Sequence, residues 1–206
     1  MESILRYFPD LSEIQIKKLT DLQDIYRSWN SRINVISRKD LDNFYIHHVL
    51  HSLAIARFTN FAGGSRILDV GTGGGFPGIP LAIFFPDSLF FLLDSVGKKI
   101  MVVKSVAAET GLKNVFAVRK RIEEEKDQYD FIVARAVTGF SDLVRLIRKN
   151  IAPVSRNKLK NGIIALKGGD ITSELLSFRE DVFVYNIKDF FSEPWFETKK
   201  LVYMAL

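Results

Sequence analysis

Along residues 11–30, apolar side chains recur at helical spacing. Leu19, Leu22, Ile25 and Trp29 fall on one face at intervals of three and four, which predicts an amphipathic helix. Its start is marked by Ser12 and Gln15 in capping-box positions, with Leu11 and Ile16 placed as a hydrophobic staple. A second helix is predicted from about Asp40 to Phe58, ended by Ala62, Gly63 and Gly64. After Gly64 the pattern changes to short β-rich, largely apolar runs at 66–70, 89–93, 115–118, 131–134 and 162–166. Segments long enough for crossover helices, among them 98–110 and 141–151, separate them. Continuous rather than alternating apolar strands predict a parallel sheet covered on both faces. The runs 182–187 and 201–206 have no helical pattern between them and predict a terminal antiparallel hairpin across a loop at 192–198. The expected architecture is one α/β domain over 1–206: a helical N-terminal layer (1–60) and a Rossmann-like core (61–206) with a seven-stranded, mostly parallel sheet.

In an open parallel sheet, ligands bind outside the carboxyl ends of the strands. Those ends carry most of the chain's distinctive polar residues. The first strand leads into Asp69-Val70-Gly71-Thr72-Gly73-Gly74-Gly75-Phe76-Pro77-Gly78, and the second ends in Asp94. The third leads into Arg119-Lys120-Arg121-Ile122-Glu123, the fourth ends in Arg135, and the fifth in Lys167-Gly168-Gly169. Five glycines between Gly71 and Gly78 predict a backbone that bends sharply and comes close to a ligand. Pro77 and Pro80 suit the first turn of the helix that follows. Two cofactor classes share such a turn. Gly73, Gly75 and Gly78 satisfy the dinucleotide pattern G-x-G-x-x-G, with Asp94 at a ribose-binding distance in sequence. The same turn also reads Asp-x-Gly-x-Gly-x-Gly from Asp69 to Gly75. An acidic Asp69 suits the cationic sulfonium of S-adenosylmethionine better than a pyrophosphate, which it repels. A nicotinamide-dependent oxidoreductase and a non-catalytic RNA-binding protein with a vestigial pocket are the alternatives.

Composition narrows the chemistry. The chain has 206 residues and no cysteine, which excludes disulfides, thiolate nucleophiles and cysteine-ligated metals. No apolar run approaches a bilayer's thickness and the N-terminus has no signal-peptide pattern, so a cytoplasmic, non-membrane protein is expected. Lys and Arg exceed Asp and Glu by 29 to 24, a balance that suits a polyanionic partner. The stretch 143–161 holds Arg145, Arg148, Lys149, Arg156, Lys158 and Lys160 without an acidic residue, which marks a candidate RNA-phosphate strip. Arg135 is the leading candidate for a functional side chain. It ends an apolar strand, where a buried guanidinium needs a polar or anionic partner, and it could hold a cofactor carboxylate or orient a base. Lys167 follows the same logic. His47, His48 and His51 lie within one helical turn, but without a third ligand at a known spacing packing is expected and no metal. Packing is likewise expected for Trp29 and Trp195.

The segments DVGTGGGFPGIPLA (69–82), LLDSVGKK (92–99), KRIEE (120–124), YDFIVARA (129–136) and ALKG (165–168), with WNSRINV (29–35) upstream, resemble the RsmG (GidB) family in order and spacing. The resemblance spans almost the whole chain. It implies a class I methyltransferase fold and S-adenosylmethionine as cofactor. It further implies methyl transfer to N7 of a guanine in the 530 loop of 16S ribosomal RNA, with free rRNA or a small ribosomal subunit as partner and a monomer as the working form. Carried over by position, it implies cofactor contacts at Gly71, Phe76, Ile122, Glu123 and Arg135. Asp69, Gly73, Gly75 and Asp94 join them by the general class I pattern, Arg135 is the catalytic candidate, and Lys167, Arg145 and Arg148 are substrate-binding candidates. Where the family usually carries His-x-x-Asp-Ser, this chain has His51 at the Asp position.

Overall fold

The computed structural model describes residues 1–135, 139–178 and 181–206. Two N-terminal helices come first, α1 (Glu2–Tyr7) and α2 (Glu13–Asn30), the second opened by the Ser12–Gln15 capping box. Gln15 N donates to the Ser12 hydroxyl oxygen at 3.3 Å, and Ser12 N donates back to Gln15 Oε1 at 3.0 Å. The stripe that α2 buries is Leu19, Leu22, Tyr26 and Asn30, one position round from the predicted Ile25 and Trp29, which stay half-buried. The predicted second helix is less regular. A 3-10 turn (Arg38–Asp40) precedes a π-helical stretch (Tyr45–Leu50) that runs directly into α3 (His51–Phe58).

The core follows as β1 (Arg66–Val70), α4 (Gly78–Phe84), β2 (Leu89–Asp94), α5 (Gly97–Glu109), β3 (Val115–Arg119), β4 (Phe131–Arg135), α6 (Phe140–Ile147), β5 (Gly162–Gly168), α7 (Thr172–Leu175), β6 (Val182–Asn186) and β7 (Lys199–Ala205). The strands form one seven-stranded sheet in the order β3-β2-β1-β4-β5-β7-β6. β1 to β5 run parallel, and β7 pairs antiparallel with both β5 and β6. The terminal pair is the predicted hairpin, with Val182 opposite Met204 and Asn186 opposite Lys200. Inserting β7 between β5 and β6 brings the loop before it, with Trp195, back to the carboxyl end of β5.

Side chains alternate across the sheet, and that alternation decides what each strand end can reach. On one face Ile67, Phe131, Val133, Ile164 and Leu166 join a core with α2, α3, α4 and α5. On the other, Leu68, Ile132, Ala134, Ile163 and Ala165 join α6 and α7. Residues 78–83 of α4 are all buried, because the N-terminal helices cover the side of α4 that the sheet does not. Following the same parity, Asp69 and Arg135 turn toward the N-terminal layer, and Lys167 turns toward α6 and α7.

Candidate functional site

The strand order reverses at β1, with β2 on one side and β4 on the other, so a crevice opens at the carboxyl ends of these strands. The glycine-rich turn lies in it and is pinned from below by Asp69. This carboxylate has no exposed surface, and its Oδ2 accepts from Thr72 Oγ1 at 2.6 Å and from Gly78 N at 2.8 Å. A Cβ on Gly78 would stand 2.8 Å from that same oxygen, so the helix start can approach the strand end only as glycine. Gly75 has φ +100°, and a Cβ there would lie 2.7 Å from Ile79 Cγ1. From outside, α2 closes the turn: the buried Tyr26 hydroxyl donates to Gly74 O at 2.6 Å. Burial raises the Asp69 pKa to about 6, although its hydrogen bonds from Thr72 and Gly78 and the nearby Arg135 work in the opposite direction.

A first cavity of about 340 Å³ opens beside this turn, lined among others by Gly71, Asp94, Val96, Lys99, Ile122 and Glu123. It brings together residues from three strand ends that are as much as 52 positions apart (71 to 123). Asp94, only 7% exposed, ties the walls: Oδ2 accepts from Gly73 N at 3.0 Å and Oδ1 from Val96 N at 2.8 Å. Each carboxylate oxygen has room for a further donor. Lys99 Nζ stands 3.7 Å from Oδ2. The acidic Asp94, the apolar Ile122 and the exposed backbone at Gly71 are chemistry suited to a nucleoside ligand.

Two expected contact residues lie elsewhere. Asp69 is sealed beneath the turn, so it acts by holding Thr72 and Gly78 and through its charge rather than by touch. Phe76 is 2% exposed and stacks into a cluster with Tyr26, Phe44 and His48, which leaves its backbone as the part near the crevice. Gly73 is half-buried and Gly75 fully so, and both shape the turn rather than line the first cavity.

A second cavity, of about 490 Å³, lies over the ends of β4 and β5, one strand further along the sheet. Arg135 forms its boundary with the turn. Its guanidinium sits 5.0 Å over the Phe76 ring, Nη1 donates to His47 O at 3.1 Å, and Nη2 is 3.2 Å from His48 Nδ1. Because the arginine can only donate, His48 Nδ1 is the acceptor and the ring proton is on Nε2. Among the described residues no carboxylate lies within ion-pair distance of Arg135, and burial lowers its pKa to about 10. His47 is held by Asp40 (2.9 Å) and stacks on Trp195 at 4.3 Å, with the Lys199 ammonium 4.5 Å from the same indole. His51 packs edge-on against Trp195 at 5.0 Å. Both tryptophans are thus part of packing: Trp29 donates to Glu109 Oε1 at 2.9 Å. Among the described residues no group of three His, Asp or Glu is arranged to hold a metal ion.

Of the substrate-binding candidates, Lys167 lines the second cavity and pairs with Glu174 at 2.8 Å. Arg145 and Arg148 line neither cavity. α6 runs away from the rim, and Arg145 is spent on Asp142 at 2.8 Å. Further along the same basic stretch, Arg156 reaches Asp130 and Gly64 O at the opposite end of the sheet. Of the same stretch, Lys149 reaches the first cavity's wall, donating to Glu123 O at 2.7 Å. The sequence reading missed Tyr26, Lys99, Trp195 as a cavity wall, and Glu174. Of these only Lys99 carried a signal, being one of two lysines just after the second strand.

The sequence model of the family described as "GidB: rRNA small subunit methyltransferase G" matches residues 15–201. Curated relatives called "Ribosomal RNA small subunit methyltransferase G" are 53% identical in Bacteroides fragilis, over 100% of both chains, and 53% identical in Flavobacterium psychrophilum, over 100% of this chain and 98% of the other. Solved structures share the fold at low identity. A SAM-dependent methyltransferase from Aquifex aeolicus matches with TM-score 0.57 and 17% identity over 82% of this chain and 96% of its own. Coclaurine N-methyltransferase bound to N-methylheliamine and SAH gives 0.56 and 16% over 86% of this chain and 67% of its own.

Proposed function

The chain belongs to the rRNA small subunit methyltransferase G family, and from that premise we propose that it transfers a methyl group from S-adenosylmethionine to N7 of a guanine in the 530 loop of 16S rRNA. The observation that carries the reading is the first cavity, where Asp94, Gly71, Ile122 and Glu123 converge beside a glycine turn that only glycine can form. S-adenosylmethionine supplies a methyl group on positively charged sulfur. The chain's residues bind and aim it. Asp94 accepts the ribose hydroxyls, Ile122 and Glu123 flank the adenine end, and Gly71 and Gly73 let backbone approach the amino-acid end.

Guanine N7 carries an in-plane lone pair and needs no proton removed before it takes a methyl group. The enzyme therefore requires orientation and exclusion of water more than a general base. Arg135 suits that task. Its guanidinium lines the second cavity and lies over Phe76 of the glycine turn, and among the described residues it bonds to neutral acceptors, so donors remain for an anionic or electron-rich partner. Burial costs such a cation, and among the described residues Asp69 acts on it only through its charge, without a direct ion pair, which leaves room for a ligand's polar group. No helix of the described residues is long and apolar enough to cross a membrane, and a small-subunit rRNA substrate supports the cytoplasm as the working compartment.

The test is transfer of labelled methyl groups to small-subunit rRNA lacking the modification, followed by mapping of the labelled nucleotide. The reading expects one labelled guanine, modified at N7. Arg135→Ala is expected to reduce transfer at least about a hundredfold while remaining folded. Labelling elsewhere, or a fully active Arg135→Ala enzyme, would count against the reading.

A further inference from the structure

The second cavity has two unlike walls. On the N-terminal side stand Arg135, His48 and Trp195. On the other side a carboxylate is fixed with care. Leu166 turns into the core with α3 and α4, so Lys167 turns the opposite way, toward α7. There the Lys167 ammonium meets Glu174 Oε2 at 2.8 Å, and the same oxygen accepts from Phe140 N at 3.0 Å. Both bonds end on Oε2, leaving Oε1 with no hydrogen-bond partner among the described residues. The lysine contact lowers the Glu174 pKa, so the group stays ionised.

We propose that this cavity takes the target base and that Glu174 reads its Watson–Crick edge; the proposal rests on the guanine-methylating function above. Guanine presents two adjacent donors on that edge, N1–H and the 2-amino group, and the two lone pairs of Glu174 Oε1 can accept from both. Adenine presents an acceptor at N1 and is repelled by the same group. With its donor edge on Glu174, the base turns its O6 and N7 edge toward Arg135 and the neighbouring β1 end, where the first cavity opens. A guanidinium has five N–H donors and the described bonds of Arg135 use two, so donors remain for O6. A cavity of about 490 Å³ holds a purine together with part of its ribose. The base must leave its helix or loop stack to enter, as bases do in enzymes that modify them.

Methyl transfer to an rRNA fragment with guanosine or inosine at the target position tests this directly. Inosine keeps N7, O6 and N1–H and lacks only the 2-amino group. The wild-type enzyme should prefer guanosine by about tenfold or more in kcat/KM. Glu174→Gln should lose about ten- to hundredfold on guanosine, treat both nucleosides alike, and bind S-adenosylhomocysteine as the wild type does. Equal use of guanosine and inosine by the wild type would overturn the proposal without any variant having to fold. So would a Glu174→Gln enzyme that keeps the full preference. Failure of the wild type to bind S-adenosylhomocysteine would instead overturn the underlying function.

Discussion

The two cavities are built by different routes. The first is made almost entirely of residues that directly follow β1, β2 and β3, so each wall is a short continuous piece of chain. The second draws on Asp40 and the π-helical turn, on the ends of β4 and β5, on α7, and on the loop before β7, which spans positions 40 to 199. The fold itself fixes the first. The second exists only when the N-terminal layer and the terminal hairpin dock on the core. On the proposed reading, the shared part of the fold holds the cofactor and the additions select the substrate.

This difference can be broken or sharpened by substitution. Asp94→Ala removes the acceptor for the ribose hydroxyls together with the tie between Gly73 N and Val96 N. S-adenosylhomocysteine affinity measured by calorimetry should fall by about a hundredfold, from loss of hydrogen bonds to a charged group. An Asp94→Ala enzyme with near wild-type affinity would mean that the first cavity is not the nucleoside site. Tyr26→Phe tests a place where the N-terminal layer meets the glycine turn. It leaves Gly74 O without its 2.6 Å donor while keeping the ring against Phe76 and Phe44. KM for S-adenosylmethionine should rise by about five- to tenfold with kcat within about twofold, since the cofactor turn is loosened and the base pocket is not.

Acid should act mainly on the second cavity, and its effect is the smallest of the three. Burial first, and Arg135 next, lower the pKa of His48 to about 3 and that of His51 in the same direction. Between those values and the unfolded value of about 6.5, the unfolded chain binds protons that the folded chain refuses. Their contribution is therefore complete above pH of about 6.5 and is lost as pH falls. Asp69, raised to about 6 by burial, works the other way, because the folded state takes up its proton before the unfolded state does. Two imidazoles outweigh one carboxylate, so the melting temperature should drop by about 5 °C between pH of about 7.5 and about 5. A melt that is flat or rises over that interval would mean the imidazoles are not held neutral.

The same contrast explains what the sequence revealed. Parallel strands covered on both faces must be apolar throughout, so 66–70, 89–93 and 131–134 could be read to within a residue of β1, β2 and β4. The first cavity was legible because its residues follow those strands immediately. Helix α1 was not, since six residues carry too little periodicity, and the π-helical turn was missed because an α-helical spacing fits the same side chains. Glu174 had no local mark at all. Its role depends on Lys167 turning toward α7 and on Phe140 N, 34 positions away, meeting the same oxygen. Charge alone did not show how the basic stretch 143–161 is distributed: Arg145 pairs with Asp142, Arg156 with Asp130 at the far end of the sheet, and Lys149 reaches Glu123 at the first cavity.

The central claim is that the glycine turn beside Asp94 cradles an S-adenosyl nucleoside. Calorimetric titration of the purified chain with S-adenosylhomocysteine, alongside NADH, measures this most directly. The account predicts saturable one-to-one binding of S-adenosylhomocysteine and none of NADH. Absence of binding by the former, or tighter binding by the latter, would contradict it.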